Sequence, residues 1–487
     1  MSLPPLPEQG LTADEVLGAL RELRSQDLDF TKATSYHFDA GDDRLPEIAA
    51  AAAATAWGRN GLDPTAFPSI AAVENDLVGA ALDLHGAGPE AVGTVTGGGT
   101  ESCMLAVLEA RERHRALGRP GQPEMLLPVT AHSAFRKGAW LFGVKIVDIG
   151  VDDDFKADTS QMIDAMSPSS ALVVVSAPSY AHGVIDPVES IAAAAAERDI
   201  LCHLDMCIGG WALPFILEAE GRPPVDMSVP GVTSASMDLH KYGYAPKGVS
   251  ILLSANPALR ELHYFADAGW PGYPLINNTL ASSRSAAPAA AAWAVLHLLG
   301  REGLRDLALR SRAGALAIAA GVEQIPGLRL VADPEASLVC IGDTGDEQGP
   351  DVRIVADEAK RLGWSLQIQP PRGISPPNIH VTVAAGVADR SDEFLDVLRA
   401  STTAATGKGR ADPLPALIEA AESIDAGALD EATVAGLLQM AGFSGDDGPM
   451  ALPEDMAGVN ALLGALPVPL VEVLLKAVFS GVFTPNR

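Results

Sequence analysis

The residues whose types and spacing could do chemistry cluster around a lysine, an aspartate, a glycine-rich turn and a histidine. Asp205 ends an apolar run, Ile200-Leu201-Cys202-His203-Leu204-Asp205-Met206-Cys207. With a repeat of two, His203, Asp205 and Cys207 share one face of a strand. Three readings of that face stay open. It could bind a metal, although the spacing matches no common zinc pattern and the expectation is no metal. Asp205 could be structural. It could also hold a cofactor, because the C-terminal ends of parallel strands are where open α/β sheets bind ligands. A carboxylate suits a pyridine nitrogen, since keeping that nitrogen protonated lets the ring accept the electrons of a breaking bond. The same chemistry needs an amine, and Lys241 lies in Ser236-Met237-Asp238-Leu239-His240-Lys241-Tyr242-Gly243. A lysine among apolar neighbours and next to a cation or phosphate can lose its proton and attack an aldehyde. Lys247 competes with it. Followed by Gly248 and a strand, Lys247 reads as a surface or loop-closing residue.

Thr96-Gly97-Gly98-Gly99-Thr100 stands between a strand candidate and a helix with apolar residues at Met104, Val107 and Leu108. Bare N–H groups at the positive end of a helix suit a phosphate. The run matches neither the dinucleotide nor the ATP-type glycine pattern, so a tight connection is an equal reading. His132 follows the apolar run Met125 to Pro128. It reads either as a helix-start histidine making a local hydrogen bond or as an imidazole lying flat on a cofactor ring.

The elements that must position these residues alternate. Strands are expected at Gly93 to Thr96, Met125 to Pro128, Val144 to Ile149, Leu172 to Ser176, Leu201 to Asp205, Thr233 to Ser236 and Gly248 to Leu253, with helices between most of them. That alternation predicts an α/β fold with a mostly parallel sheet covered by helices. The expected layout is an N-terminal arm with helices (1–57), a large domain (58–310), a small α+β domain (311–405) and an appended tail (406–487). The tail contains a Gly, Asp and Pro cluster at Gly442 to Pro453.

A chain of 487 residues with 48% hydrophobic and 20% charged residues has the makings of large cores. Its net charge of −28 repels nucleic acid and anionic membrane surfaces. The four cysteines, Cys103, Cys202, Cys207 and Cys340, are too scattered for a disulfide framework. The first residues carry no basic segment followed by an apolar one, and Ala461 to Phe483 is interrupted by Pro467, Pro469, Glu472 and Lys476. The expectation is a cytoplasmic protein without a membrane span.

Taken in order, Thr96 to Ser102, Ala131 to Phe135, His203 to Gly210 and His240 to Gly248 resemble the pyridoxal-phosphate-dependent group II decarboxylases. Phe142-Gly143-Val144-Lys145-Ile146-Val147, His182-Gly183-Val184-Ile185-Asp186-Pro187-Val188 and Asp205-Met206-Cys207-Ile208-Gly209-Gly210 place the likeness in the sphingosine-1-phosphate lyase branch. It covers residues 30 to 400. The resemblance implies the aspartate-aminotransferase-like fold of type I, pyridoxal 5′-phosphate as cofactor, and a homodimer with shared active sites. It implies Lys241 as the Schiff-base lysine, Asp205 on the pyridine nitrogen and His132 on the ring face. Gly98, Gly99, Thr100 and His240 would surround the phosphate, with Ser283 of the second chain reaching it.

The departures at Asn60 to Asp63, at Tyr36 or Phe38 and in the loop from Trp270 to Thr279 bear on the substrate, and the one at Ser282 to Ala286 on the segment that would reach the cofactor phosphate. Asn60-Gly61-Leu62-Asp63 stands where the lyases have Asn-Pro-Leu-His, so that Asp63 replaces a substrate-facing histidine and would repel a substrate phosphate. Ser282-Ser283-Arg284-Ser285-Ala286 replaces a Gly-Ser-Arg-Pro-Gly-like segment. Tyr36 or Phe38 takes the place of a tyrosine near the end of the arm. The expected function is therefore a carbon–carbon lyase acting on an amine or amino-acid-like substrate. An amino-acid decarboxylase is the alternative, and a non-catalytic binding protein on the same fold is the third reading.

Overall fold

The computed structural model describes residues 6–413, 418, 429, 431–440 and 453–484. Most of the Gly442 to Pro453 cluster lies outside the described residues. The strands of the large sheet are β1 (Val92–Thr96), β2 (Glu124–Pro128), β3 (Lys145–Ile149), β4 (Ser170–Ser176), β5 (Leu201–Asp205), β6 (Ser234–Met237) and β7 (Ser250–Ser254). They are ordered β1-β7-β6-β5-β4-β2-β3. β2 to β6 run parallel, and only β7, which pairs with β1 and β6, runs antiparallel to its neighbours. β4 is buried along its whole length, as a Val-rich strand covered on both faces must be.

A small hairpin follows, β8 (Phe265–Asp267) with β9 (Leu275–Asn277), and then a second sheet. That sheet contains β10 (Leu328–Ala332), β11 (Leu338–Asp343), β12 (Gln367–Gln369) and β13 (Asn378–Thr382), all antiparallel in the order β10-β11-β13-β12. β8 and β9 were not expected from the sequence, because three-residue strands are too short to display a period of two.

One long helix, Ala287–Val322, joins the sheets, broken at Gly300 (φ 60°, ψ −176°), a conformation that favours glycine. Glycine reads as a helix stop, so the sequence places the end of the first helix there. The chain resumes helical geometry because Leu304, Leu307 and Ala308 bury against the large core, and Ala315, Ile318 and Val322 against the second core. Beyond it, helix Val352–Arg361 covers the small sheet and carries helix Ala457–Ala465 on its outer side, followed by helix Val468–Val482. No helix among the described residues is long and apolar enough to cross a membrane.

Candidate active site

The carboxyl ends of β4, β5 and β6 and the N-terminus of helix Gly99–Ala116 enclose a cavity of about 490 Å³. Lys241 and Asp205 line it from the sheet side. Lys241 follows β6 in a tight turn held by Lys241 N–H to Asp238 C=O, and its Nζ lies 3.1 Å from Asp238 Oδ2. Burial opposes charge on this amine. The nearly inaccessible Asp238 carboxylate overrides that, so Lys241 is held above its usual pKa.

Asp205 ends β5. Its Oδ1 accepts the Cys207 N–H at 3.0 Å, and its Oδ2 has no protein donor among the described residues, which leaves that oxygen to a cavity ligand. His203, one strand residue pair earlier, is fully buried and spends both ring nitrogens on Ser234 Oγ (2.8 Å) and Ser236 Oγ (3.1 Å). Burial pushes its pKa down to about 4. The side chains that share the Asp205 corner are Cys207 and Cys103, whose ligand atoms lie within 4.8 Å of one another and of the carboxylate.

Facing these groups is the glycine turn. The first helical bonds run from Glu101 and Ser102 N–H to Gly98 C=O, so the N–H groups of Gly99 and Thr100 precede them. A Cβ on Gly99 would stand 2.6 Å from the Asp238 carboxylate and 2.8 Å from Cys207 Sγ, so glycine alone fits. Glu101 folds back to accept the Gly97 N–H (2.6 Å) and the Leu280 N–H (2.8 Å), tying the turn to the following loop. His240 Nε2 is 3.4 Å from Asp238, and burial lowers its pKa.

His132 caps helix Ser133–Phe142, its Nδ1 accepting the Ala134 N–H at 3.2 Å, and it also lines the cavity. The helix-start reading of this residue is what the structure shows: the local bond fixes Nδ1 as acceptor and leaves Nε2 as the donor. Lys247 does not line the cavity. It donates to His240 C=O at 3.1 Å and stands over the Phe38 ring, 5.2 Å from its centroid. Partial burial and the positive Lys241 pull its pKa down to about 8.

The substrate candidates lie elsewhere. Tyr36 is 74% exposed with φ 68°. Asn60 accepts the Leu62 and Arg284 N–H groups and donates to Ser283 Oγ at 3.3 Å. Arg284 in turn grips Glu74 with both guanidinium nitrogens. Asp63 accepts from Thr65 N–H (2.8 Å), Thr65 Oγ1 and Ala66 N–H, bonds that hold its carboxyl below the usual range. None of Tyr36, Asn60, Asp63 or Ser283 lines the cavity.

Asp238 and Tyr180 escaped the sequence reading. For Asp238 a signal existed: Ser234, Ser236 and Asp238 continue one face of β6 beyond its end. Tyr180 follows the end of β4, lines the cavity, stacks on His380 and donates to Gln367 Oε1 at 2.7 Å. Its partners are distant in sequence, so no local pattern marks it.

Residues 17–342 match the family model described as the pyridoxal-dependent decarboxylase conserved domain, and residues 415–481 match one described as a pyridoxal-dependent enzyme C-terminal putative HTH domain. Sphingosine-1-phosphate lyase 1 of Rattus norvegicus is 34% identical over 82% of this chain and 69% of its own length. The sphingosine-1-phosphate lyase of Dictyostelium discoideum is 36% identical over 70% of this chain and 63% of its own. Among solved structures, the sphingosine-1-phosphate lyase of Burkholderia pseudomallei superposes with a TM-score of 0.77 at 31% identity, covering 83% of this chain and 93% of that one.

Proposed function

Because the chain belongs to the pyridoxal-dependent decarboxylase family, in the sphingosine-1-phosphate lyase branch, we propose that it cleaves the Cα–Cβ bond of a small β-hydroxy amine, as a cytoplasmic homodimer. It is a pyridoxal-phosphate-dependent lyase, and the bound cofactor supplies an electron sink for the bond that breaks. The cavity fits that group. The N–H groups of Gly99 and Thr100 precede the first helical bonds at a helix N-terminus, which suits a phosphate, and an Asp205 carboxylate oxygen without a protein donor among the described residues stands on the sheet side.

Each side chain then has a role. Lys241 supplies the amine that carries the cofactor, and Asp238 holds that amine in position beforehand. Asp205, with one oxygen left without a protein donor among the described residues, would hold the ring nitrogen and favour its protonated form. His132, fixed as a donor at Nε2 and lining the cavity, would stand against the ring and could donate a proton there. Lys247, with a pKa of about 8, can hold or release a proton near neutral pH beside the cavity.

The observation that carries the reading is the pairing of Lys241 and Asp205 across one cavity opposite a glycine turn. The homodimer reading draws on the Asn60–Ser283 corner, which is hydrogen-bonded as a unit and is not part of the lining of the chain's own cavity. Tyr36 stands within electrostatic reach of Tyr180 in its own chain, whereas in that reading the corner, with Asp63, completes the partner's site. A carboxylate there repels phosphate, so the substrate lacks the phosphate of a phosphorylated sphingoid base. The second reading, an amino-acid decarboxylase, draws on the same departure at Asp63. Aldehyde release from a panel of β-hydroxy amines, set against carbon dioxide release from amino acids, decides between them. Efficient turnover of a sphingoid-base phosphate would overturn the substrate assignment.

A further inference from the structure

The segment matched to a putative HTH domain has the wrong charge for its description. Residues 415–481 contain ten acidic side chains and one basic one, Lys476, and binding a phosphate backbone requires lysines and arginines. Its described contacts lead instead toward the cavity. Asp357, on the outer side of helix Val352–Arg361, accepts the N–H groups of Met456 and Ala457, both at 2.9 Å, and so caps helix Ala457–Ala465. Lys360 Nζ donates to Glu454 C=O at 2.8 Å, and Arg361 pairs with Asp455 at 2.5 Å.

The far end of that helix is held by the turn that follows β12. Arg372 donates to the C=O groups of Leu463 and Gly464, each at 3.2 Å, where a helix leaves carbonyls unpaired and its dipole favours a cation. A Cβ on Gly464 would stand 2.7 Å from the Pro371 ring. Arg372 and Ser375 close the turn with reciprocal backbone bonds of 3.0 and 2.9 Å. Ser375 Oγ then meets His182 Nε2 at 2.9 Å, and Gln369 donates to Ala181 C=O at 2.7 Å. Two residues before His182, Tyr180 lines the cavity.

We propose that the C-terminal helix Ala457–Ala465 is a strap: through Arg372, Ser375 and His182 it sets the position of the Pro178–Gly183 wall of the cavity. Arg372 and Gly464 are positioning residues, far from the reacting atoms. That the wall faces a substrate rests on the function proposed above; that the strap holds the wall does not. Removing the strap loosens the wall while leaving the sheet that carries Asp205 and Lys241 in place.

The test is amide hydrogen exchange on the full-length holoenzyme. Arg372→Ala and Gly464→Ala should each raise exchange in residues 178–183 about threefold or more, with β4 unchanged. Alanine is the better helix former, so a looser wall in Gly464→Ala reports the clash with Pro371 rather than a weaker helix. Arg372→Lys, which keeps a donor at the helix end, should give an intermediate value. Lys408→Ala, which breaks only a surface pair with Glu358, should change nothing in the wall. Exchange that rises only within 453–466, leaving 178–183 as in the wild type, overturns the proposal. Should Arg372→Ala unfold broadly, Gly464→Ala and Arg372→Lys decide. A wild-type protein without the visible absorbance of bound cofactor would defeat the functional reading and leave the exchange result standing.

Discussion

The strand ends around Asp205 and Lys241 and the corner around Asn60 and Ser283 are built on different principles. The first is set by the large sheet: β5 and β6 are buried along their length, and each site residue leaves the sheet at a fixed register. The second is a meeting of two loops, held by side-chain bonds from Asn60 and by the Arg284–Glu74 pair. Groups at the sheet end cannot shift without disturbing a core. Groups at the corner are tied to one another and not to the sheet, so an exchange there leaves the strand ends in place. On the proposed function, the strand ends hold the cofactor while Asn60 and Asp63 bear on the substrate, and the departures from the lyase pattern at Asp63 and Ser282 to Ala286 fall in the loops.

The sharpest test of that separation is Lys241→Ala. It should abolish the visible cofactor band and lower turnover by about a thousandfold or more. A persistent band would move the amine to Lys247. Asp205→Asn should retain the fold and bound cofactor while lowering kcat by about a hundredfold, the usual scale for removing a preorganised charge; an unchanged kcat would leave Asp205 structural. Asp63→His should shift the ratio of kcat/KM for phosphorylated over unphosphorylated amines upward by about tenfold, with cofactor absorbance unchanged. A changed absorbance there would break the separation between the two regions.

The smallest effect concerns acid. His203 is buried and neutral with a pKa near 4, whereas an unfolded histidine titrates near 6.5. Between those values the unfolded chain binds the extra proton, so the stability present above pH 6.5 is lost as pH falls toward 4. His203→Gln should flatten this slope of the denaturation midpoint by up to one proton, about 1.4 kcal/mol per pH unit. The exposed Asn60–Ser283 corner should make no such contribution. An identical slope in the variant would show that His203 takes up its proton alike in the folded and unfolded chain, against a lowered pKa in the fold.

Much of the sheet was legible in the sequence because buried parallel strands are short apolar runs that end in polar residues. Leu201 to Asp205 is found where the pattern puts it, and the other strands of the large sheet lie within two residues of expectation. Asp205 and Lys241 sit at or just past such ends, so strand-end logic reached them as candidates; His132 stayed open between two readings, and the role of His240 came from the resemblance alone. What escaped was set by distant contacts. Tyr180 owes its place to Gln367 and His380, and Cys103 meets Cys207 only because a helix crosses β5. The corner was legible only by resemblance, since Asn60 and Ser283 are brought together from opposite ends of the large domain.

The broken helix Ala287–Val322 has one more consequence. Past Gly300 a single rod passes from one core to the other, with Ala308 in the first and Ala315 in the second. No flexible tether separates the two bodies at that seam. Melting one therefore strips the support from the other, and calorimetry on the holoenzyme should record one cooperative transition through both cores rather than two separate peaks.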